Sequence, residues 1–209
     1  MHGTTTIAPV ADLSVRWPLP DRTDLRDRLL TAYSSRRGYH DATHLAEVID
    51  RLEELGRGDD AVLLLAAWFH DAVYDGRPDA EERSAELAET ELAETELAAE
   101  GVDGVDVAEV ARLVRLTEHH APDAGDERGE TLCDADLAIL AADPARYRDY
   151  AAGVREDYAA YSDAEFRAGR LAVLEELAAR EGLFRTPYGR EHWEPRAREN
   201  LAAEISALR

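Results

Sequence analysis

The most apolar run in the chain, AVLLLAAWF at 61–69, breaks off into His70-Asp71-Ala72-Val73-Tyr74-Asp75. Polar alternation with β-branched residues recurs nowhere, and no Asn-Gly or Asp-Gly turn joins two such runs, so strands are not predicted. Alanine, leucine, glutamate and arginine dominate, and all are strong helix formers. Helices are predicted over about 24–36, 42–55, 59–73, 80–100, 106–118, 132–141, 144–161, 163–181 and 194–208. The expected fold class is all-α: one helical domain of about eight to nine helices over 21–209, preceded by an N-terminal extension over 1–20.

Several helix ends carry local signals. Ser162 followed by Glu165 makes a capping box, in which each side chain satisfies an orphaned backbone donor. Asp143 ahead of Pro144 pairs a cap with a first-turn proline. Gly56 and Gly182 follow helical patterns where a left-handed stop is expected. The stretch AELAETELAETELAAE at 85–100 nearly repeats a five-residue unit. Five residues advance about 500° around a helix, so Leu87, Leu92 and Leu97 spiral and form no single stripe. A solvated helix with a modest apolar side is expected there.

At 209 residues the chain has the size of one domain. Its formal charge of −21, from 45 acidic against 24 basic side chains, repels nucleic-acid backbones and anionic membranes. No stretch has the apolar length of a bilayer span, and the N-terminus lacks the pattern of a secretory signal. With Cys133 alone there is no internal disulfide, which fits a reducing cytoplasm. A homodimer is the default expectation for assembly.

The chemistry lies in the histidines. Of seven, five fall in three groups: His40 with His44, His70 beside Asp71, and His119 with His120. His40 and His44 share a face if helical. A fourth group, Leu132-Cys133-Asp134-Ala135-Asp136-Leu137, sets two aspartates against an apolar helix. Buried carboxylates need a compensating cation, and the chain contains no lysine. Imidazoles and carboxylates together suit a divalent transition metal. Each group alone has a plainer explanation, such as a hydrogen-bonded helix-end histidine. Their occurrence in order on separate helices is what favours a metal site.

These residues, in this order, resemble the HD superfamily of metal-dependent phosphohydrolases, whose pattern is a histidine, an adjacent His-Asp pair and a distant aspartate. The matching segments are "THLAEVI", "WFHDAVYD" and "DADLAIL". With "YHDATHL", "EERSAELA", "YAAGVREDY" and "LFRTPYGREHWEPRAREN", the chain is similar to a bacterial subgroup of predicted HD phosphohydrolases over nearly all of its length after about residue 20. Val48, four residues after His44, favours His44 over His40 as the first ligand. The Ala-Asp-apolar sequence favours Asp136 over Asp134. Asp41 departs from the pattern, which has asparagine there.

The resemblance implies a divalent ion (Mn, Mg, Fe, Ni, Co or Zn) held by His44, His70, Asp71 and Asp136. It also implies hydrolysis of a phosphomonoester or pyrophosphate bond in a small phosphorylated substrate, such as a nucleotide. His40, His119, His120 and Asp134 are candidates for a second metal or for phosphate. Asp75 and Glu82 are candidate catalytic bases. Arg36, Arg37, Arg83 and Arg185 are candidate phosphate contacts, and the loop at 185–188, with Tyr188 and Trp193, is a candidate cover over the pocket. Two other readings are an HD-fold di-iron oxygenase and a non-catalytic nucleotide-binding domain.

Overall fold

Helix α3 (Ala61–Phe69) is the centre of the architecture, because its sequence offers no polar face. Asp60 caps it by accepting from the amides of Val62 and Leu63, and Val62 through Phe69 are all buried. A helix apolar all round must be surrounded, and α3 packs against α2 (Ala42–Glu54), α4 (Ala80–Ala98), α5 (Val107–Leu116) and α6 (Glu127–Leu137). A computed structural model describes residues 10–34, 38–75, 77, 79–98 and 105–209, with side chains from 13 onward except 94–98. Among the described residues there are nine α-helices and no strand, the all-α fold that the composition predicts. The remaining helices are α1 (Thr23–Tyr33), α7 (Pro144–Asp157), α8 (Asp163–Ala179) and α9 (Glu194–Leu208).

The local signals explain most boundaries. Ser162 and Glu165 form both halves of the capping box on α8, and Asp143 caps α7 ahead of Pro144. Gly56 ends the α2 segment with φ +73°. Gly182 does not act as a stop, since α8 ends at Ala179 with Arg180 extended. There the Arg198 guanidinium donates to the carbonyls of Ala178 and Arg180, doing the work expected of a glycine cap. Helix α3 stops at Phe69, short of residue 73, because the His70 ring takes the Ala67 carbonyl at 2.7 Å. Helix α6 begins a turn earlier than 132, at the Asp126 cap on the Gly129 amide, and tightens into a 3₁₀ turn at Ala138–Ala141. In α4, Ala85, Ala88 and Leu92 face the core, while Leu97 lies outside the described side chains.

Two cores result. The first surrounds α3; the second joins Tyr39, α7, α8, α9, Phe184 and Trp193. Helix α6 contributes Leu132 and Ala135 to one and Leu137 to the other. The proposed 1–20 extension is not an appendage over its described part. Leu13 and Trp17, from and just after a 3₁₀ turn at Val10–Arg16, are buried in the first core. Trp17 meets Trp68 edge-on, with ring centroids 5.0 Å apart.

That packing has a measurable consequence. Trp17→Ala should cost about 3–5 kcal/mol in urea denaturation, as for other large aromatic truncations in cores. A loss under about 1 kcal/mol would mean the N-terminal turn only rests on the domain.

Candidate metal centre

Four side chains reach the junction between the cores from three helix ends. Asp41 accepts from the amides of Thr43 and His44 and so starts α2 with His44 in its first turn, turned inward. His70 and Asp71 follow the last residue of α3, and the Asp71 amide donates to the Tyr33 hydroxyl at 3.2 Å. Asp136 projects from the last turn of α6. His44 Nε2 lies 3.1 Å from His70 Nε2, 3.1 Å from Asp136 Oδ1 and 3.5 Å from Asp71 Oδ2. His70 Nε2 lies 3.1 Å from Asp71 Oδ2 and 3.8 Å from Asp136 Oδ1. His44, His70 and Asp71 are buried.

Electrostatics sharpen the geometry. Burial alone would lower the His70 pKa, but the carboxylates of Asp71 and Asp136 outweigh it and push the ring up to about 10. Burial would raise both acids, yet the neighbouring histidines, His70 foremost, hold them below the usual carboxylate range. The group therefore retains anions at the edge of an apolar core and draws positive charge toward them. His70 Nδ1 is committed to the Ala67 carbonyl, which fixes the tautomer and leaves Nε2 facing the other three donors. The donor atoms of His44, His70 and Asp136 lie within 4.8 Å of one another, a set whose chemistry fits a divalent metal ion, and Asp71 stands beside it against the two imidazoles.

A cavity of about 590 Å³ opens above this floor, lined at its base by His44, Asp71, His120 and Asp136. His120 Nε2 sits 2.8 Å from Asp136 Oδ2, on the oxygen turned away from His44. Its backbone is left-handed at φ +49°, and Arg180 donates to the carbonyls of both His119 and His120. The His119 side chain is 76% exposed at the rim. His40 lines the wall, stacked on Tyr74 at 4.0 Å, with Nδ1 2.7 Å from Asp157 Oδ2. Asp157 also accepts from the amides of Gly38 and Tyr39, at 2.5 and 3.0 Å. Only glycine allows that turn, since a Cβ on Gly38 would stand 1.9 Å from the Gly153 carbonyl oxygen.

Other expected residues lie elsewhere. Asp75 forms a two-pronged pair with Arg83 at 2.8 and 3.0 Å and a further contact with Arg77, so its carboxyl is held low and turned away. Glu82 is held in the same way by Arg115. Neither acid lines the cavity, and Arg83 is spent on Asp75 and Asp79. Asp134 accepts from the amides of Arg185 and Thr186 and from the Thr186 hydroxyl; it is a loop anchor. The Arg185 side chain is exposed and outside the cavity, and Arg36 and Arg37 lie outside the described residues. The 185–188 loop does not line the cavity: Tyr188 donates to Glu54 at 2.5 Å, and Trp193 fills the second core against Phe184.

The sequence reading missed Asp157, which lies 117 residues from His40, and the wall built by Tyr39, Tyr74 and Tyr150. The segment YAAGVREDY carried the only hint of that wall, in its tyrosines and acids. No family model, curated protein or solved structure matches the chain.

Metal-free protein should show the proton in this cluster. His70 has a folded value raised from 6.5 to about 10, so its contribution to stability is complete below pH 6.5 and lost as pH rises toward 10. The melting temperature of chelator-treated protein should therefore fall across that window, and His70→Asn should flatten the slope. A midpoint that rises over the same window would contradict the geometry.

Proposed function

We propose that the chain is a metal-dependent phosphohydrolase that holds one divalent ion through His44, His70, Asp71 and Asp136. The supporting observation is the convergence of His44, His70 and Asp136, whose donor atoms lie within 4.8 Å of one another, with Asp71 against both imidazoles, at the floor of a cavity of small-molecule size. The residue pattern shared with HD phosphohydrolases supports the same reading. The donor set accepts Mn, Mg, Fe, Ni, Co or Zn. When bound, such an ion lowers the pKa of coordinated water and polarises a phosphoryl oxygen. It would also reverse the field of a chain at −21, which otherwise repels a phosphate.

The chain's own residues have separable duties. Tyr33 and the Ala67 carbonyl fix the backbone and ring of the His70-Asp71 pair. His120 orients Asp136 through its outer oxygen and faces the cavity, where a phosphoryl oxygen would lie. His40, set by Asp157 and Tyr74, is the other wall group able to carry a proton to or from the reacting phosphate. Acid–base work falls to these two histidines in place of Asp75 and Glu82. A second ion would draw on His40, His119 and His120, but His120 Nε2 already lies on Asp136 and His119 projects to solvent, so a one-ion site is favoured over the di-iron oxygenase reading. Among the described residues no helix is long and apolar enough to cross a membrane, consistent with a proposed cytoplasmic location.

Elemental analysis of protein purified without added metal, beside phosphate release with manganese supplied, tests the proposal. Near-stoichiometric metal with phosphate release is expected; metal with dioxygen consumption and no phosphate release would overturn it. His70→Ala should lose the metal and more than about 10²-fold in activity while keeping its helical circular dichroism. Glu82→Gln, in contrast, should stay within about twofold of the parent rate, because its carboxylate serves a surface ion pair.

A further inference from the structure

The large apolar side chains that stand exposed among the described residues are Val15, Tyr158, Tyr161 and Val173, and the last three rim the cavity above the metal centre. They are 41, 49 and 51% exposed in that order. Tyr158 and Tyr161 have ring centroids 5.9 Å apart, and Phe166 lies 6.2 Å from Tyr158, so the three aromatic groups form one patch. Ile139 and Leu177 continue the apolar wall inward. Scattered apolar side chains on a surface need no explanation, but a contiguous set at the mouth of a pocket marks a binding surface.

The polar lining points the same way. Among the described residues that line the cavity above the floor there is no asparagine, glutamine or serine, so none of them places a side-chain amide to read the edge of a base. Arg170 is held by Glu204 at 2.8 Å, and Arg180 is held by the carbonyls of His119 and His120. Glu81, Glu118 and Glu176 add negative charge around the opening. The charge of such a wall disfavours a polyphosphate tail and an anionic bilayer. The wall complements an uncharged apolar body.

We infer that the ligand is a free phosphate monoester with an aromatic or alkyl body, the phosphate on the metal floor and the body against Tyr158, Tyr161, Phe166 and Val173. The inference rests on the phosphohydrolase reading for the phosphate end and narrows the substrate away from nucleotides. Shape and apolar area at the mouth supply the preference, and the floor supplies what all monoesters share.

Calorimetric titration of the manganese-loaded full chain with three non-hydrolysed or slowly turned-over probes separates the two readings. The probes are 2-naphthylmethylphosphonate, methylphosphonate and AMP. The naphthyl probe should bind at least about tenfold tighter than either of the others, because it buries the apolar mouth. Val173→Asp, at a position exposed enough to tolerate charge, should collapse the ratio of naphthyl to methyl affinities toward one. Equal affinities for the three probes, or AMP as the tightest, would overturn the inference. So would a ratio untouched by Val173→Asp, or co-sedimentation with phosphatidic-acid vesicles, which would put the apolar body in a membrane. Naphthyl preference without phosphate release from naphthyl phosphate would leave the ligand class standing and overturn the hydrolase reading alone.

Discussion

Two carboxylates at the edge of an apolar core require positive charge within a few ångströms, and that requirement organises the centre of this protein. Asp71 and Asp136 come from different helices and meet the imidazoles of His44 and His70 at 3.1 to 3.8 Å. In the absence of a metal, a proton on His70 carries compensation, which is why that ring is pushed up while the acids are held down. A divalent ion answers the same demand with more charge and displaces protons in doing so. With a divalent ion bound, removing either acid would leave an excess of positive charge in a desolvated place; without metal, removing His70 would leave two buried carboxylates without its compensating proton.

Everything around the cluster serves its placement. The apolar α3 is pinned on all sides, so the residue that ends it, His70, has little freedom of position. Helix α6 touches both cores, and its last turn delivers Asp136 at their seam. The Gly38–Gly153 approach brings the Tyr39-His40 turn against α7, where Asp157 gathers two amides and an imidazole. The cavity is thus built where the packing of one core stops and that of the other begins, a common place for a site that must be both rigid and open.

What could be read in advance follows the range of the interactions. Caps at Asp143 and Ser162 were legible because donor and acceptor lie within three residues. The histidine and aspartate groups were legible for the related reason that ionisable residues at the margins of apolar runs stand out locally. Asp134 and Asp136 show the limit. They are two positions apart, about 200° around a helix, so one faces the 185–186 loop and the other the cluster. The resemblance favoured Asp136, while periodicity alone had no means of choosing. Asp75 and Glu82 looked available only because the arginines that hold them, Arg83 and Arg115, are partners that no spacing rule assigns. Trp17 in the core and Asp157 on His40 were invisible for the same reason: both depend on tertiary contacts between distant segments.

The most direct test of the metal centre is X-ray absorption on zinc-loaded protein, read for the identity of the scattering atoms. Two imidazole nitrogens at about 2.0–2.1 Å with carboxylate oxygens, and the loss of one imidazole contribution in His44→Asn, is the predicted result. A shell of oxygens alone, a sulfur scatterer from Cys133, or a spectrum unaffected by His44→Asn would contradict the account.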